Sequence, residues 1–385
     1  MANGAGHTED TAAALVYEAP APRKKRFLPW HKPRKQYVRD YQWRAEIDSM
    51  LNDAPRQDAT LRYLGLPGTD LLDLRHFYAE VCEPRGLGLR FLGFNNAARP
   101  SSSFQTEMNV SLDEVRRLPR TDTRSEVLGD DFIGLADESS IAWNKTVALG
   151  PYDVINLDLC DGFGSTEPGA VDNTYYNAVS RLMGLQARTP TSWLLLLTTR
   201  VSDRHVHPEV LDRLLRKYIE NLQTYRPFRE RSRRLFACDD DAGTRAAATG
   251  ANHLLPLFLC GLCKWLLGLA LGQQPPTTAE LRGVIGYRVD GRAQHEDLVS
   301  IALRFTPTFQ PAADDAGLGN PALTVPDECG LSVEVLNRVA GREDADVILR
   351  NDTALRGKMV DATAALLASA RYDSRAYREW IQGEC

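Results

Sequence analysis

The sequence has no strong excess of charge of either sign. Its 385 residues carry a formal net charge of −5, with 46 Lys and Arg against 51 Asp and Glu. A molecule this close to neutrality exerts no general attraction on nucleic acid or acidic membranes, so any such partner must be bound by a local patch. Lysine is scarce, and arginine, whose planar head favours bidentate contacts, supplies most of the positive charge.

The sequence also lacks the features of an exported protein. Its first twenty residues have neither the basic segment nor the apolar segment of an export signal. The seven cysteines form an odd, scattered set, which is typical of proteins from a reducing compartment. We therefore expect a cytoplasmic protein.

Long hydrophobic runs are absent except for one, at residues 253–272. That run is about as long as a membrane span. Pro256 and Lys264 interrupt it, and a charge inside a membrane segment is costly. The run therefore predicts a buried helix, and we expect no membrane partner.

Strand and helix patterns alternate along the middle of the chain, without internal repeats. Two β-rich runs within residues 280–305 predict a terminal hairpin. The alternation favours a doubly wound α/β sheet, Rossmann-like and mostly parallel, with helices on both faces. The five apolar runs that predict its other strands are 61–66, 87–94, 125–132, 152–159 and 193–201.

Composition divides the chain into segments of different character. The ends and the connection near residue 315 are rich in Ala, Gly, Pro or polar residues, whereas the centre is apolar. We expect a flexible tail (1–22), a basic and aromatic N-terminal arm with a helix (23–57), the sheet domain (58–306), a linker (307–325) and a small helical C-terminal subdomain (326–385).

The N-terminal arm has a composition suited to nucleic acid. Eight basic residues precede its first acid, Asp40, with tryptophan and tyrosine interleaved. Cations neutralise phosphates and aromatic rings stack on bases, so the arm predicts nucleic-acid binding. The alternative is a charged arm whose tryptophans pack on the protein's own core. The residues assigned to nucleic acid are Arg26, Trp30, Lys32, Arg34, Lys35 and Arg39.

The succession of five strands and a hairpin resembles the class I S-adenosylmethionine-dependent methyltransferase fold over residues 58–306. In that family a glycine-bearing loop follows the first strand, because the cofactor approaches the backbone closely there. Here that loop contains two glycines but also Pro67, and the second strand ends in an asparagine where the family usually has an acid. The resemblance implies S-adenosylmethionine as cofactor, held by Gly65, Gly68, Asp70, Asn95, Asp130, Asp131 and Phe132.

The fourth strand ends in the polar stretch Asp158-Leu-Cys-Asp-Gly-Phe163. In amino-methylating members of the family, an acid or amide followed by an aromatic residue holds the substrate amine at this position. The resemblance therefore implies that Asp158, Asp161 and Phe163 form the catalytic end of the site. Cys160 as a covalent nucleophile is a further alternative, although a cysteine at a strand end is usually a small buried apolar group.

Three functions remain open on these observations. The first is a methyltransferase-like protein that binds S-adenosylmethionine and acts on or recognises nucleic acid. The arm and the divergent core also resemble bacterial proteins associated with antiphage defence. The second is a catalytically inactive scaffold of the same fold that binds a partner protein or nucleic acid. The third is a metal-dependent hydrolase or nuclease with Asp158 and Asp161 on magnesium, although no spaced third ligand is evident.

Overall fold

The computed structural model describes residues 24, 26–53, 59–159, 161–169, 171, 174–289, 295–308, 318 and 326–383. The expected tail at 1–22 and most of the expected linker lie outside this range, and so does Cys160. The predicted α/β class and the terminal antiparallel hairpin are confirmed.

One eight-stranded sheet runs through the molecule. Its strands are β1 (Thr60–Gly65), β2 (Gly88–Phe94), β3 (Glu126–Leu128), β4 (Val154–Asp158), β5 (Trp193–Arg200), β6 (Thr277–Tyr287), β7 (Leu298–Pro307) and β8 (Glu343–Asp344). They lie in the order β3-β2-β1-β4-β5-β7-β6-β8. Strands β1 to β5 pair in parallel, and β7 is antiparallel to both of its neighbours. The strand order therefore reverses between β1 and β4, the point at which ligands bind in open sheets of this kind.

Helices cover both faces of the sheet. They are α1 (Pro33–Val38), α2 (Ala45–Asp53), α3 (Leu72–Phe77), α4 (Glu83–Arg85), α5 (Gln105–Arg116), α6 (Ile141–Leu149), α7 (Tyr175–Gln186), α8 (Pro208–Thr224), α9 (Arg226–Phe236), α10 (Asp241–Ala248), α11 (Ala251–Leu271), α12 (Glu328–Ala340), α13 (Ala345–Asn351), α14 (Thr353–Ser369) and α15 (Ser374–Gly383). Two π-helical segments, Arg39–Arg44 and Tyr78–Cys82, join α1 to α2 and α3 to α4.

Strands β4 and β5, whose sequences are continuously apolar, lie at the centre of the sheet. Strand side chains alternate between faces, so neighbouring residues of β4 enter different cores. Ile155 and Leu157 join the core that contains α7, α8 and α11. Val154 joins the opposite core, which contains Trp43 and Tyr63. Burial on both faces explains the absence of polar alternation in these strands.

Helix α11 contains the long hydrophobic run. By length and composition its Asn252–Leu271 stretch could cross a membrane, but 72% of the most apolar window is buried inside the protein. It packs against α8, α12 and β6. The buried helix predicted from the sequence is therefore present in the core.

The C-terminal region is helical, as predicted, but it packs as part of the main body. Strand β8 adds to the edge of the sheet beside β6. Helix α12 packs on α11 and α9, and α14 packs on α1 of the arm. The expected separate subdomain is thus replaced by helices that close the sheet and hold the N-terminal arm.

Candidate functional site

A cleft of about 640 Å³ lies at the carboxyl ends of the parallel strands. This volume is within the usual range of small-molecule sites, roughly 300–1,000 Å³. The loops after β1, β2, β3 and β4 all contribute to it, and so do the ends of β5 and β6. The N-terminal arm forms the remaining wall. The cleft therefore occupies the point of the sheet where the strand order reverses.

The loop after β1 leaves open space in the cleft at Gly68. A methyl group placed on Gly68 would meet no atom within 4 Å, so a ligand has room to approach this backbone. Leu71, just beyond, has a left-handed backbone with φ 52°, a conformation costly for a branched residue. Gly65 lies inside the sheet instead, where the ring of Tyr63 covers it. Of the two glycines predicted to bind cofactor, only Gly68 lines the cleft.

Asp70 lines the cleft but is already engaged. The ammonium of Lys24 pairs with it, and the hydroxyl of Tyr372 donates a hydrogen bond of 2.8 Å to its other oxygen. Lys24 also lies 2.5 Å from Glu107. The arm residue Lys24 thus ties the loop after β1 to the start of α5.

Asn95, at the end of β2, holds its own loop together. Its amide nitrogen donates to the Pro67 carbonyl at 2.7 Å, and its oxygen accepts from the Ala97 backbone at 2.7 Å. Each polar atom of this side chain therefore makes one hydrogen bond within the loop. The exposed neighbour Asn96 also lines the cleft, and it is the better placed of the two to meet a ligand.

The loop after β3 brings two acids and a ring to the cleft. One oxygen of Asp130 accepts from the Asp131 backbone at 2.9 Å, and Asp131 caps the following turn by accepting from Ile133 at 3.2 Å. Phe132 is buried and stacks on Tyr175, with ring centres 6.2 Å apart. The side chains of Asp130, Asp131, Phe132 and Tyr175 all border the cavity.

The end of β4 holds a buried ion pair. Lys35 Nζ lies 2.6 Å from Asp158 Oδ1 and 4.3 Å from the centre of the Trp43 ring. Burial alone would lower the pKa of Lys35, but Asp158 and other nearby groups outweigh it and raise that pKa. Lys35 is therefore held as an ammonium ion at the floor of the cleft. Beside it, burial raises the pKa of Tyr287 to about 12, which keeps this cleft residue a neutral phenol.

The other two residues predicted at this strand end do not face the cleft. The side chain of Asp161 is 73% exposed and lies 3.8 Å from His205. Phe163 is only 2% exposed and packs against Tyr176 and Trp265 in the core. Neither side chain borders the cavity. The structure therefore does not bring Asp161 and Phe163 together with Asp158 at the cleft.

Three of the arm's basic residues that were predicted to contact phosphates, Arg34, Lys35 and Arg39, are buried inside the protein. Arg34 pairs with Asp346 at 2.8 Å, and Arg39 pairs with Asp73 at 2.7 Å. Together with Lys35, these residues are buried. Buried charges must be paired to offset their lost hydration, so they are not available to phosphates. Arg26 and Trp30 remain exposed and Lys32 is half-buried, and Trp30 lines the cleft.

The charges around the cleft are unevenly distributed. On the side of β5 and β6, Arg200 pairs with Asp297 and Arg288 with Asp344, each at 2.8 Å. On the side of β1 to β3, the lining is rich in acids, and Lys24 is the basic residue that pairs with two of them. Those acids are Asp70, Glu107, Asp130 and Asp131. The latter side therefore favours neutral or cationic groups that donate hydrogen bonds.

Within the described residues, no group of three or more His, Cys, Asp or Glu side chains is arranged to hold a metal ion. The two cysteines with metal-like spacing, Cys260 and Cys263, are buried in α11, and burial raises the pKa of each thiol. Among the described residues, Asp158 contributes to an ion pair rather than to a cluster of carboxylates.

Sequence reasoning missed several residues that line the cleft. Tyr287 stands at the end of a predicted hairpin strand, and Phe104 in a polar loop, where no motif distinguishes them. The aromatic residue Trp30 was identified, but its role was assigned to nucleic acid. The high aromatic content of the arm is a sequence signal for the contact made by Trp30, which belongs to the arm.

A family model described as PP_RS20740-like matches residues 24–382. The matched range begins in the arm and ends in the last helix, so it includes every residue that lines the cleft. No curated protein matches the chain.

Proposed function

The chain belongs to the PP_RS20740-like family, and we propose that it is an S-adenosylmethionine-binding protein with a methyltransferase-like fold. One observation carries the proposal. Loops from four neighbouring parallel strands converge on a single cavity at the point where the strand order reverses. The antiparallel hairpin beyond β5 agrees with the fold that the resemblance implies.

The described side chains fit the adenosine part of this cofactor. The open backbone at Gly68 leaves room for close approach, and Asp130 and Asp131 offer acceptors for amino and hydroxyl groups. The ring of Phe132 supplies an apolar wall. Asn95 uses one donor and one acceptor of its amide to hold its own loop. When bound, the cofactor would supply an electrophilic methyl group.

The proposal does not extend to nucleic-acid binding through the arm. Arg34, Lys35 and Arg39 are consumed by ion pairs, and the cleft side nearest the proposed adenosine site is acidic. A polyanion would meet repulsion there.

Isothermal titration with S-adenosylmethionine and with its demethylated product tests the proposal. We expect binding of at least one of them at micromolar to sub-millimolar concentration. Asp130→Asn should weaken it by about 10- to 150-fold, since a hydrogen bond to a charged group contributes about 1.5–3 kcal/mol. Asp137→Asn is the matched control, because Asp137 makes a similar local turn with Ser139 outside the cleft. Absence of heat for both ligands would refute the proposal.

A second function, a catalytically inactive scaffold or sensor of the same fold, is favoured by the Lys35–Asp158 pair. Of the two acids predicted to hold a substrate amine, Asp158 borders the cleft. Its carboxylate already pairs with the ammonium of Lys35 at 2.6 Å. In this version the protein binds the cofactor but transfers no methyl group. Incubation with labelled cofactor and cell extract distinguishes the two, since transfer of label to any acceptor would exclude the inactive version.

A further inference from the structure

Two large aromatic side chains stand exposed at the mouth of the cleft. Trp30 is 49% exposed and Phe104 is 56% exposed, and both line the cavity. They come from distant segments, the turn Pro29–His31 and the residue before α5. Large aromatic rings left in water forgo the stabilisation of burial, and exposed apolar surface beside a cavity is typical of a binding site.

The backbone beneath each ring is held in place. Trp30 belongs to a short turn that ends in the buried His31, and the His31 ring meets those of Trp30 and Tyr372 edge-on, at 6.1 and 5.1 Å. Phe104 N donates to Ser102 Oγ at 3.2 Å, and its carbonyl accepts from Met108 at 3.0 Å. The two rings are thus presented on fixed supports, which reduces the entropy lost when a ligand binds.

The polar groups that line the same part of the cleft can accept hydrogen bonds, and two of them, Glu107 and Asp131, are carboxylates. Glu107 lies one helical turn beyond Phe104, and Asp131 and Asn96 belong to the neighbouring loops. Carboxylates and amide oxygens accept hydrogen bonds from exocyclic amino groups and sugar hydroxyls. The negative charge of the two carboxylates disfavours a phosphate group, so a planar ligand without phosphate fits this part of the cleft best.

We propose that Trp30 and Phe104 clamp the purine ring of a nucleoside, so that the N-terminal arm forms part of the ligand site. The inference rests on the proposed cofactor site and specifies which aromatic side chains at the mouth of the cleft hold the cofactor's ring. The same clamp admits adenosine and adenosine-containing sulfonium or thioether ligands, and it discriminates against AMP.

Calorimetric titration of the full chain with adenosine, S-adenosylhomocysteine and AMP tests the clamp. Trp30→Ala and Phe104→Ala should each weaken adenosine binding about tenfold, the size of effect usual for stacking on a base. Trp30→Phe should restore most of the affinity, because it retains an aromatic face. Tyr41→Ala is the control, since Tyr41 is an exposed aromatic residue of the same arm that does not line the cleft. Thermal melting checks that each variant is folded.

Each result decides a separate point. If Trp30→Ala and Phe104→Ala bind adenosine as tightly as the parent chain, the clamp is overturned. The clamp is also overturned if Tyr41→Ala loses as much affinity for adenosine as these two variants do. Binding of AMP as tight as that of adenosine would overturn the assigned selectivity. If adenosine binds through Trp30 while S-adenosylmethionine and S-adenosylhomocysteine do not bind, the clamp stands and the proposed function fails. If none of the ligands binds, both are refuted.

Discussion

The ammonium of Lys35, in the first helix, lies 2.6 Å from the carboxylate of Asp158, at the end of the fourth strand. The contact joins the N-terminal arm to the centre of the sheet, 123 residues away. The Lys35 side chain is only 5% exposed, so its ammonium has lost most of its hydration. The ion pair with Asp158 compensates for that loss.

Removing one partner of this pair should destabilise the fold. Asp158→Ala leaves an unpaired buried charge, and we expect a loss of about 3 kcal/mol in the free energy of unfolding. The double variant Lys35→Met/Asp158→Leu should recover most of that loss, since it leaves no charge behind. Urea unfolding followed by circular dichroism measures both. Asp113→Ala, which breaks the exposed pair with Arg117, is the control and should cost less than about 1 kcal/mol.

If Asp158→Ala unfolds at the same urea concentration as the parent chain, the ion pair does not support the fold. An unchanged stability would also favour a role for Asp158 in chemistry alone.

The stability of the protein should fall as the pH drops from about 6.5 to about 4. Burial lowers the pKa of His31 to about 4 and that of His76 to about 3, against about 6.5 in the unfolded chain. His76 Nε2 is 3.5 Å from Asp40, too far for a strong compensating contact. Between about pH 6.5 and about pH 4, these histidines take up protons in the unfolded state but not in the folded state. Their contribution to the stability of the fold is therefore complete above about pH 6.5 and is lost as the pH falls below it.

By pH 5 each histidine should account for about 2 kcal/mol of lost stability. Urea unfolding at pH 7.5 and pH 5 measures the difference, and His31→Gln/His76→Gln should reduce it. Arg39 and Lys35 overcome the effect of burial and lower the pKa of Asp73, so any loss from this carboxylate lies below about pH 4. Identical stability at pH 7.5 and pH 5 would contradict the prediction for the histidines.

Gly68 should tolerate a larger side chain without loss of stability, but with loss of ligand binding. Gly68→Leu would project into open space at the cleft and occupy volume that the ligand needs. Gly184→Leu is a matched control, because Gly184 also has no atom within 4 Å of the added carbon but lies on α7, away from this cleft. Calorimetric titration with S-adenosylhomocysteine should show binding to the control and little or none to Gly68→Leu.

Gly93, unlike Gly68, has no space for a side chain. The carbon added in Gly93→Ala would lie 2.8 Å from Pro67 and 3.1 Å from Val127. Its melting temperature should fall, as expected of an overpacked core. Full ligand affinity in Gly68→Leu would show that the ligand does not pass over this backbone.

Substitution of the buried arginines of the arm should change stability rather than nucleic-acid affinity. Arg39→Ala leaves Asp73 buried and unpaired, and we expect a loss of about 3 kcal/mol. Arg44→Ala removes the more exposed pair with Glu80 and should cost less than about 1 kcal/mol. Fluorescence anisotropy with single-stranded DNA, measured where both variants are folded, should give the same affinity for each. Weaker DNA binding by Arg39→Ala alone would restore the nucleic-acid interpretation of this residue.

The regular part of the fold was predictable because its signals are local. The apolar runs at 152–159 and 193–201 became β4 and β5, and the pattern at 280–305 became the β6–β7 hairpin. The loops after β1 and β3 both line the cleft, since the carboxyl ends of parallel strands meet at one edge. Cytoplasmic localisation and the choice of substrate remain predictions.

The amino-acid sequence by itself determined the α/β class, the buried position of α11 and the strand ends that carry Gly68, Asp130 and Asp158, because periodicity and apolar runs act over neighbouring residues. Tertiary structure alone decided that Arg34, Lys35 and Arg39 of the arm are paired inside the protein, that Asp161 and Phe163 lie away from the cleft, and that Trp30 reaches it. Those outcomes depend on which distant carboxylate or cavity each side chain meets, and no local pattern specifies a partner more than a hundred residues away. The charge of Lys35 is the clearest case, since the same ammonium would bind phosphate in water but pairs with Asp158 once the arm is packed on the sheet.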